Sequence, residues 1–117
     1  MENTLKEKSK QFSIKTIKLC RKLKESKTEY PLIDQLLRSA TSVGANIYEA
    51  HYAQGTKDFI SKLEIALKEC NETDYWFELL YYTDCVAKED YDQAKKDIIA
   101  LRRMLVSAIK KSKEKIQ

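Results

Sequence analysis

Glycine and proline are nearly absent from this chain of 117 residues, which holds two of the first and one of the second. Because both residues interrupt regular structure, their scarcity favours long unbroken helices. No apolar run approaches the roughly 18 residues that span a membrane, and the charged, polar N-terminus predicts no secretory leader. We therefore expect a single cytoplasmic domain over residues 1–117 that has no membrane partner.

The chain also lacks the residues of common catalytic and metal sites. His51 is its one histidine, so a di-iron bundle, which needs paired Glu-x-x-His motifs, is excluded by ligand count. There is no phosphate-binding glycine loop, serine elbow or Cys/His zinc set. Carboxylates between residues 64 and 78 could serve a metal or an acid–base pair, but we interpret them as solvating or ion-pairing groups. We expect no catalytic residues, no cofactor and no metal.

Four segments have the apolar spacing of amphipathic helices, at about residues 4–27, 31–53, 57–85 and 91–114. Capping boxes are predicted at Thr4 with Glu7 and at Asp90 with Gln93. Pro31 suits the first turn of the second helix. The connections of about three to six residues favour antiparallel neighbours. The predicted fold is therefore all-α, an antiparallel up-down-up-down four-helix bundle.

The connection between the second and third helices contains a predicted pair of caps. Gly55 can end the second helix in a left-handed conformation. Thr56 can then N-cap the third helix.

The second helix has two stripes, which we place on opposite faces. One stripe has core spacing and consists of Ile33, Leu36, Ala40, Val43, Ile47 and Ala50. The other is built from small or hydrogen-bonding residues and consists of Gln35, Ser39, Ser42, Asn46, Glu49 and Ala53. Because small side chains let another backbone approach and amides can pair across a contact, the second stripe predicts a surface for another helix. This pattern indicates self-assembly.

The other three helices also have predicted core seams. They are Leu5, Phe12, Leu19 and Leu23 in the first helix, Phe59, Leu63, Ala66, Cys70, Phe77 and Leu80 in the third, and Tyr91, Ala94, Ile98, Leu101, Leu105 and Ala108 in the fourth. Several apolar residues lie off these seams, namely Ile14, Ile17, Ile65, Trp76 and Leu79. A wide core or scattered surface apolar residues would explain them. Together with the polar stripe they favour contacts between subunits.

Charge is divided unevenly along the chain. The net charge is +6 over residues 1–27, −7 over residues 28–90 and +5 over residues 91–117. The first and last helices are neighbours in an up-down-up-down bundle, so their cations should share one side. The predicted nucleic-acid-binding residues are Lys15, Lys18, Lys22, Lys96, Arg102, Arg103 and Lys110. Cations at about 10 Å intervals can follow phosphates without reading bases, although solvated helix faces or head-to-tail subunit pairing remain alternatives.

Three stretches carry a family resemblance: LLRSATSVGANIYEA at residues 36–50, KDF at 57–59 and IALKECNET at 65–73. The chain resembles the four-helix-bundle proteins encoded by intervening sequences in bacterial large-subunit (23S) ribosomal RNA genes. That family includes the accessory variability determinant of diversity-generating retroelements. The resemblance implies a cyclic pentamer, and in retroelement members it implies basic surfaces that bind nucleic acid and a reverse transcriptase.

The resemblance also assigns signature positions, and all of them except Phe59 form the predicted subunit interface together with Gln35. That interface comprises Gln35, Arg38, Ser39, Ser42, Asn46, Glu49, Lys57 and Glu72. The function expected from both lines of argument is a non-enzymatic homopentamer that binds RNA or DNA as an accessory or scaffold for a nucleic-acid enzyme, such as a reverse transcriptase. The alternative is a self-assembling protein-interaction module without nucleic-acid affinity.

Overall fold

The protein is described by a computed structural model over residues 2–26 and 29–116. These residues form four helices, α1 (Glu2–Ser26), α2 (Tyr30–His51), α3 (Thr56–Tyr82) and α4 (Lys88–Lys115), with no strand among them. The predicted all-α class with four helices is confirmed. The molecule measures 50 × 21 × 19 Å, so the helices extend along its long axis.

Contacts between helices follow the order of the chain. Pairing between α3 and α4 joins Glu64 to Lys113 at 3.1 Å and Glu78 to Lys95 at 3.0 Å, so residue numbers rise along α3 where they fall along α4. The same relation holds between α2 and α3, where Arg38 pairs with Glu69 and Glu49 pairs with Lys62, both at 3.3 Å. Helices α1 and α4 are also neighbours, and of the four pairs of adjacent helices they are the least closely packed.

One apolar core joins the four helices. Its centre contains Leu36, Leu63, Phe77 and Leu105, none more than 2% exposed. Most residues of the predicted seams lie in this core. Four of them are half-buried and pack against its margin: Leu19, Phe59, Tyr91 and Ala108. The core also contains buried polar side chains, which were not predicted. For example, Thr16 is 2% exposed and donates its hydroxyl hydrogen to the carbonyl of Phe12 at 2.9 Å, which satisfies the group inside the core.

Helix α2 lies especially close to α1. A Cβ atom added to Gly44 would be 2.9 Å from the Oγ of Ser13 and 3.6 Å from the carbonyl oxygen of Ser9. Glycine at this position therefore lets the α1 backbone approach α2. Ser9 itself is buried and donates to the carbonyl of Lys6 at 2.9 Å, so its hydroxyl does not need water.

The predicted capping boxes are wrong because both helices begin earlier than expected. α1 already includes Thr4, and α4 begins at Lys88 after Ala87, which has extended backbone angles (φ −67°, ψ 151°) and forms no side-chain cap. Asp90 therefore lies in the first turn of α4. A carboxylate there still stabilises the positive end of the helix dipole.

The turn between α2 and α3 also differs from the prediction. Gly55 has φ 171° and ψ 172°, which is extended backbone and not the left-handed conformation. It occupies the N-cap position, so Thr56 is the first residue of α3 instead of its cap. α2 ends with the N–H groups of Tyr52 and Ala53 donating to the carbonyls of Glu49 and Ala50 at 3.1 and 3.0 Å. These bonds satisfy carbonyls that the helix end would leave unpaired.

The left-handed residue lies instead at the end of α3. Asp84 has φ 63°, its N–H donates to the carbonyl of Tyr81 at 3.0 Å, and that of Cys85 donates to the carbonyl of Leu80 at 2.8 Å. This is the hydrogen-bond pattern of a Schellman motif. Glycine usually fills this position because a Cβ atom strains the left-handed conformation.

We expect Asp84→Gly to raise the free energy of unfolding by about 1 kcal/mol relative to Asp84→Ala, because both variants remove the carboxylate but only glycine removes the Cβ strain. Urea denaturation followed by circular dichroism measures the difference. Equal stability of the two variants would contradict the assignment of strain to Asp84.

Candidate nucleic-acid and subunit interfaces

The polar stripe of α2 does not lie opposite the core stripe. Successive helix residues are turned by about 100°, so Ser39 lies only about 40° around the helix from the core residue Val43. Ser39 is fully buried, and its hydroxyl is 2.9 Å from that of Thr73 on α3. Its side chain is enclosed between α2 and α3 of the same chain, which leaves Ser39 no exposed surface in the subunit.

Arg38 connects α2 to the acidic part of α3. Its guanidinium pairs with Glu72 and, at 3.3 Å, with Glu69, and its Nε donates to Gln35 Oε1 at 3.0 Å. The hydrogen bond from Arg38 holds the pKa of Glu72 below its usual value. Burial raises the pKa of Glu69, and the neighbouring Glu72 adds to that rise. Three predicted interface residues, Gln35, Arg38 and Glu72, thus form one intramolecular cluster.

The remaining predicted interface residues lie on the surface. Ser42 and Asn46 are half-buried, and the Asn46 amide donates to the carbonyl of Ser42 at 2.8 Å. Glu49 is exposed and pairs with Lys62 of α3, while Lys57 is exposed at the start of α3. Ser42 and Asn46 therefore have short side chains at the surface, and the Asn46 amide already has a hydrogen-bond acceptor within α2.

Apolar side chains from α3 are accessible beyond the core. Ile65 is 38% exposed, and Trp76 is half-buried one turn after Glu72. On α1, Ile17 is 37% exposed. The residues predicted to lie off the seams are thus at the surface or half-buried, which agrees with a wide core margin as well as with subunit contacts.

The cations in the middle of α4, from Lys95 to Lys110, separate into two groups. Lys95 and Arg102 face α3, where Lys95 pairs with Asp74 at 2.6 Å and Arg102 pairs with the same carboxylate at 3.0 Å. The hydrogen bond to Asp74 raises the pKa of Lys95. The second group is exposed and forms no ion pair within the described part of the chain: Lys96, Arg103 and Lys110.

The cations of α1 border a groove beside α4. Lys15 crosses the groove to Asp97 at 3.5 Å, and Lys18 and Lys22 are exposed without an ion pair among the described residues. A cavity of about 340 Å³ lies under these lysines, with Phe12 and Leu19 among its apolar lining residues. Two of the seven predicted nucleic-acid residues, Lys15 and Arg102, are thus in ion pairs, and five have free ammonium or guanidinium groups at the surface.

No cluster suited to hold a metal ion occurs in the described ranges, whose helices also lack an apolar stretch long enough to cross a membrane. The three cysteines are buried. Burial raises the pKa of Cys20 and of Cys70 to about 11, which keeps both thiols protonated and poorly nucleophilic at neutral pH.

Similarity to known proteins identifies the class to which these four helices belong. A solved structure of a protein of unknown function from the S23 ribosomal protein family of Bacteroides thetaiotaomicron is 44% identical, with a TM-score of 0.88 over 91% of this chain and 98% of that chain. The family model for the 23S rRNA-intervening sequence protein matches residues 1–107. The chain belongs to this family, as the resemblance indicated. A search of curated proteins gave no significant match.

The partners of two α3 residues were not predicted. Asp74 is among the carboxylates interpreted as solvating or ion-pairing groups, and it receives both Lys95 and Arg102. Thr73, which pairs with Ser39, was not singled out as a contact residue. Lys95 and Arg102 are seven residues apart and so share one face of α4, which could have suggested partners on one neighbouring helix.

We expect Arg38→Gln to raise the pKa of Glu72, because the variant removes the charged donor that stabilises its carboxylate. Carboxyl-carbon NMR titration measures the pKa. Lys62→Gln is the matched control, since it removes a cation from the α2–α3 surface that pairs with Glu49 instead. An unchanged Glu72 titration in Arg38→Gln would show that the guanidinium is not its partner in solution.

Proposed function

We propose that the chain is a non-enzymatic, cytoplasmic protein that assembles as a cyclic pentamer of antiparallel up-down-up-down bundles and binds RNA or DNA through phosphate contacts. In this proposal it is an accessory or scaffold for a nucleic-acid enzyme such as a reverse transcriptase. Between α2 and α3, and between α3 and α4, the numbers of the paired residues rise along one helix while they fall along the other. This relation supports the bundle topology.

One observation carries the nucleic-acid proposal. Lys96, Arg103 and Lys110 repeat every seven residues on α4, are exposed, and have no ion pair within the described ranges. The other α4 cations that face acidic α3 are neutralised there. A rise of about 1.5 Å per residue separates successive cations by about 10 Å, which allows them to contact phosphates along a backbone.

The family name guides the choice of the first nucleic acid to test. It refers to sequences that intervene in 23S rRNA. RNA is therefore the first ligand to test, and the sequence-independent character of phosphate contacts extends the proposal to DNA.

A second candidate function is an assembly or protein-interaction module without nucleic-acid affinity. Its support is that Lys15 and Arg102, both predicted to bind phosphates, form ion pairs with Asp97 and Asp74. If subunit contacts also neutralise the remaining cations, no continuous basic surface would be left for phosphates.

We expect the logarithm of the affinity for single-stranded RNA to fall linearly with the logarithm of the salt concentration. Arg103→Glu should weaken binding about tenfold at low salt and reduce the slope by roughly 1, because it removes one phosphate contact. Fluorescence anisotropy with labelled RNA measures both quantities.

Lys68→Glu is the matched control, since Lys68 is an exposed cation on α3 and the variant changes the net charge equally. It should retain nearly native RNA affinity. No binding at low salt would refute the nucleic-acid proposal, and equal losses in the two variants would show that net charge matters instead of the α4 cations.

For assembly, we expect Ser42→Arg to convert the pentamer into monomers, because a long charged side chain would occupy a close helix contact. Light scattering coupled to size-exclusion chromatography measures the mass. Ser26→Arg, which changes an exposed serine at the end of α1, should leave the mass of the assembly unchanged.

A Ser42→Arg protein that remains fully assembled would exclude this part of α2 from the interface. Asn46→Lys tests the next position of the stripe with the same measurement. Circular dichroism should show native helix content in both variants, since neither side chain is fully buried in the subunit.

A further inference from the structure

An apolar cavity opens at the end of the molecule where α2 ends and α3 begins. Its volume is about 280 Å³. All four helices contribute to its walls, and the lining residues are Leu5, Ile47, Ala50, His51, Phe59, Leu63, Ala108, Lys111, Ser112 and Lys115. The cavity is separate from the α1 lysines and from the outer α4 cations that the proposed function uses.

Small side chains explain why this end of the core is hollow. Ala50 on α2, and Ala108 and Ser112 on α4, line the cavity, whereas large residues such as Leu36 and Leu105 close the core further along the same helices. With about 30 Å³ per water-sized group, the space can take about nine such groups. Leaving apolar walls open to water forfeits packing contacts, so a ligand with an aliphatic tail would gain by entering.

The charged side chains around the cavity are of one sign. Lys111 and Lys115 contribute to its lining, and no carboxylate is among the lining residues. Neither lysine forms an ion pair within the described part of the chain. A negative head group at the opening would therefore meet cations and no nearby lining anion.

We propose that this cavity binds a small aliphatic carboxylate, with its tail against Leu5, Ile47 and Leu63 and its carboxylate beside Lys111 and Lys115. Such a ligand matches both the apolar lining and the sign of the charges. A nucleotide matches less well, because a base needs several hydrogen-bonding partners and the lining offers few polar side chains apart from the two lysines.

Octanoate is a suitable probe because its heavy atoms about fill the available space. We expect saturable shifts of the methyl signals of Leu5, Ile47 and Leu63 in NMR spectra of the full-length protein, with a dissociation constant of about 1 mM or lower. Octanol, which has the same tail without the charge, should bind about tenfold more weakly.

Two kinds of variant separate the tail contacts from the head contacts. Ala108→Phe should abolish octanoate binding by filling the cavity, whereas Val106→Phe, at an exposed position of the same helix, should retain it. If Ala108→Phe does not fold, Ala50→Leu fills the opposite wall. Lys111→Gln combined with Lys115→Gln should weaken octanoate to the affinity of octanol without changing octanol binding.

The inference is overturned if octanoate gives no saturable methyl shifts, or if a folded cavity-filled variant binds it as well as the native protein. Equal native affinities for octanoate and octanol would overturn the assignment of the anionic head to Lys111 and Lys115. Octanoate binding is measured without RNA, and Arg103→Glu changes no residue that lines the cavity. A failure of this inference is therefore distinguishable from a failure of RNA binding.

Discussion

The close packing of α2 between α1 and α3 is the constraint on which the rest of the structure depends. Its core residues Leu36, Ala40 and Val43 are completely buried. Gly44 lets α1 approach, and the hydroxyls of Ser39 and Thr73 pair with each other between α2 and α3, so that neither buried hydroxyl is left unpaired. Once α2 is held on two sides, its remaining surface includes Ser42 and Asn46, the positions that the proposed assembly uses.

Whether a cation is in an ion pair or free at the surface depends on the helix that it faces. Acidic α3 lies between α2 and α4, and it pairs with Arg38 on one side and with Lys95 and Arg102 on the other. Cations turned away from α3, such as Arg103, keep their charge available to an external ligand. A charge run counted along the sequence therefore overstates the basic surface, because it does not show which cations have intramolecular partners.

Periodicity predicted the four helices and most of the core, because the repeat of apolar residues follows the geometry of a helix. Helix ends were harder to predict. The capping signals at Thr4 and Gly55 were outweighed by helices that begin or turn elsewhere, and Asp84 adopts the left-handed conformation that the sequence analysis assigned to glycine. Local propensities are small, so tertiary packing decides such positions.

The order of residues by itself determined the helical class, the apolar seam of α2 and the division of charge, since each depends on spacing along one helix. Family membership also followed from residues on α2 and α3. Tertiary structure alone decided which side chains share a contact. It enclosed Ser39, paired Arg102 with Asp74 and opened the cavity beside Ala108, because burial, ion pairing and empty space depend on the distances between helices.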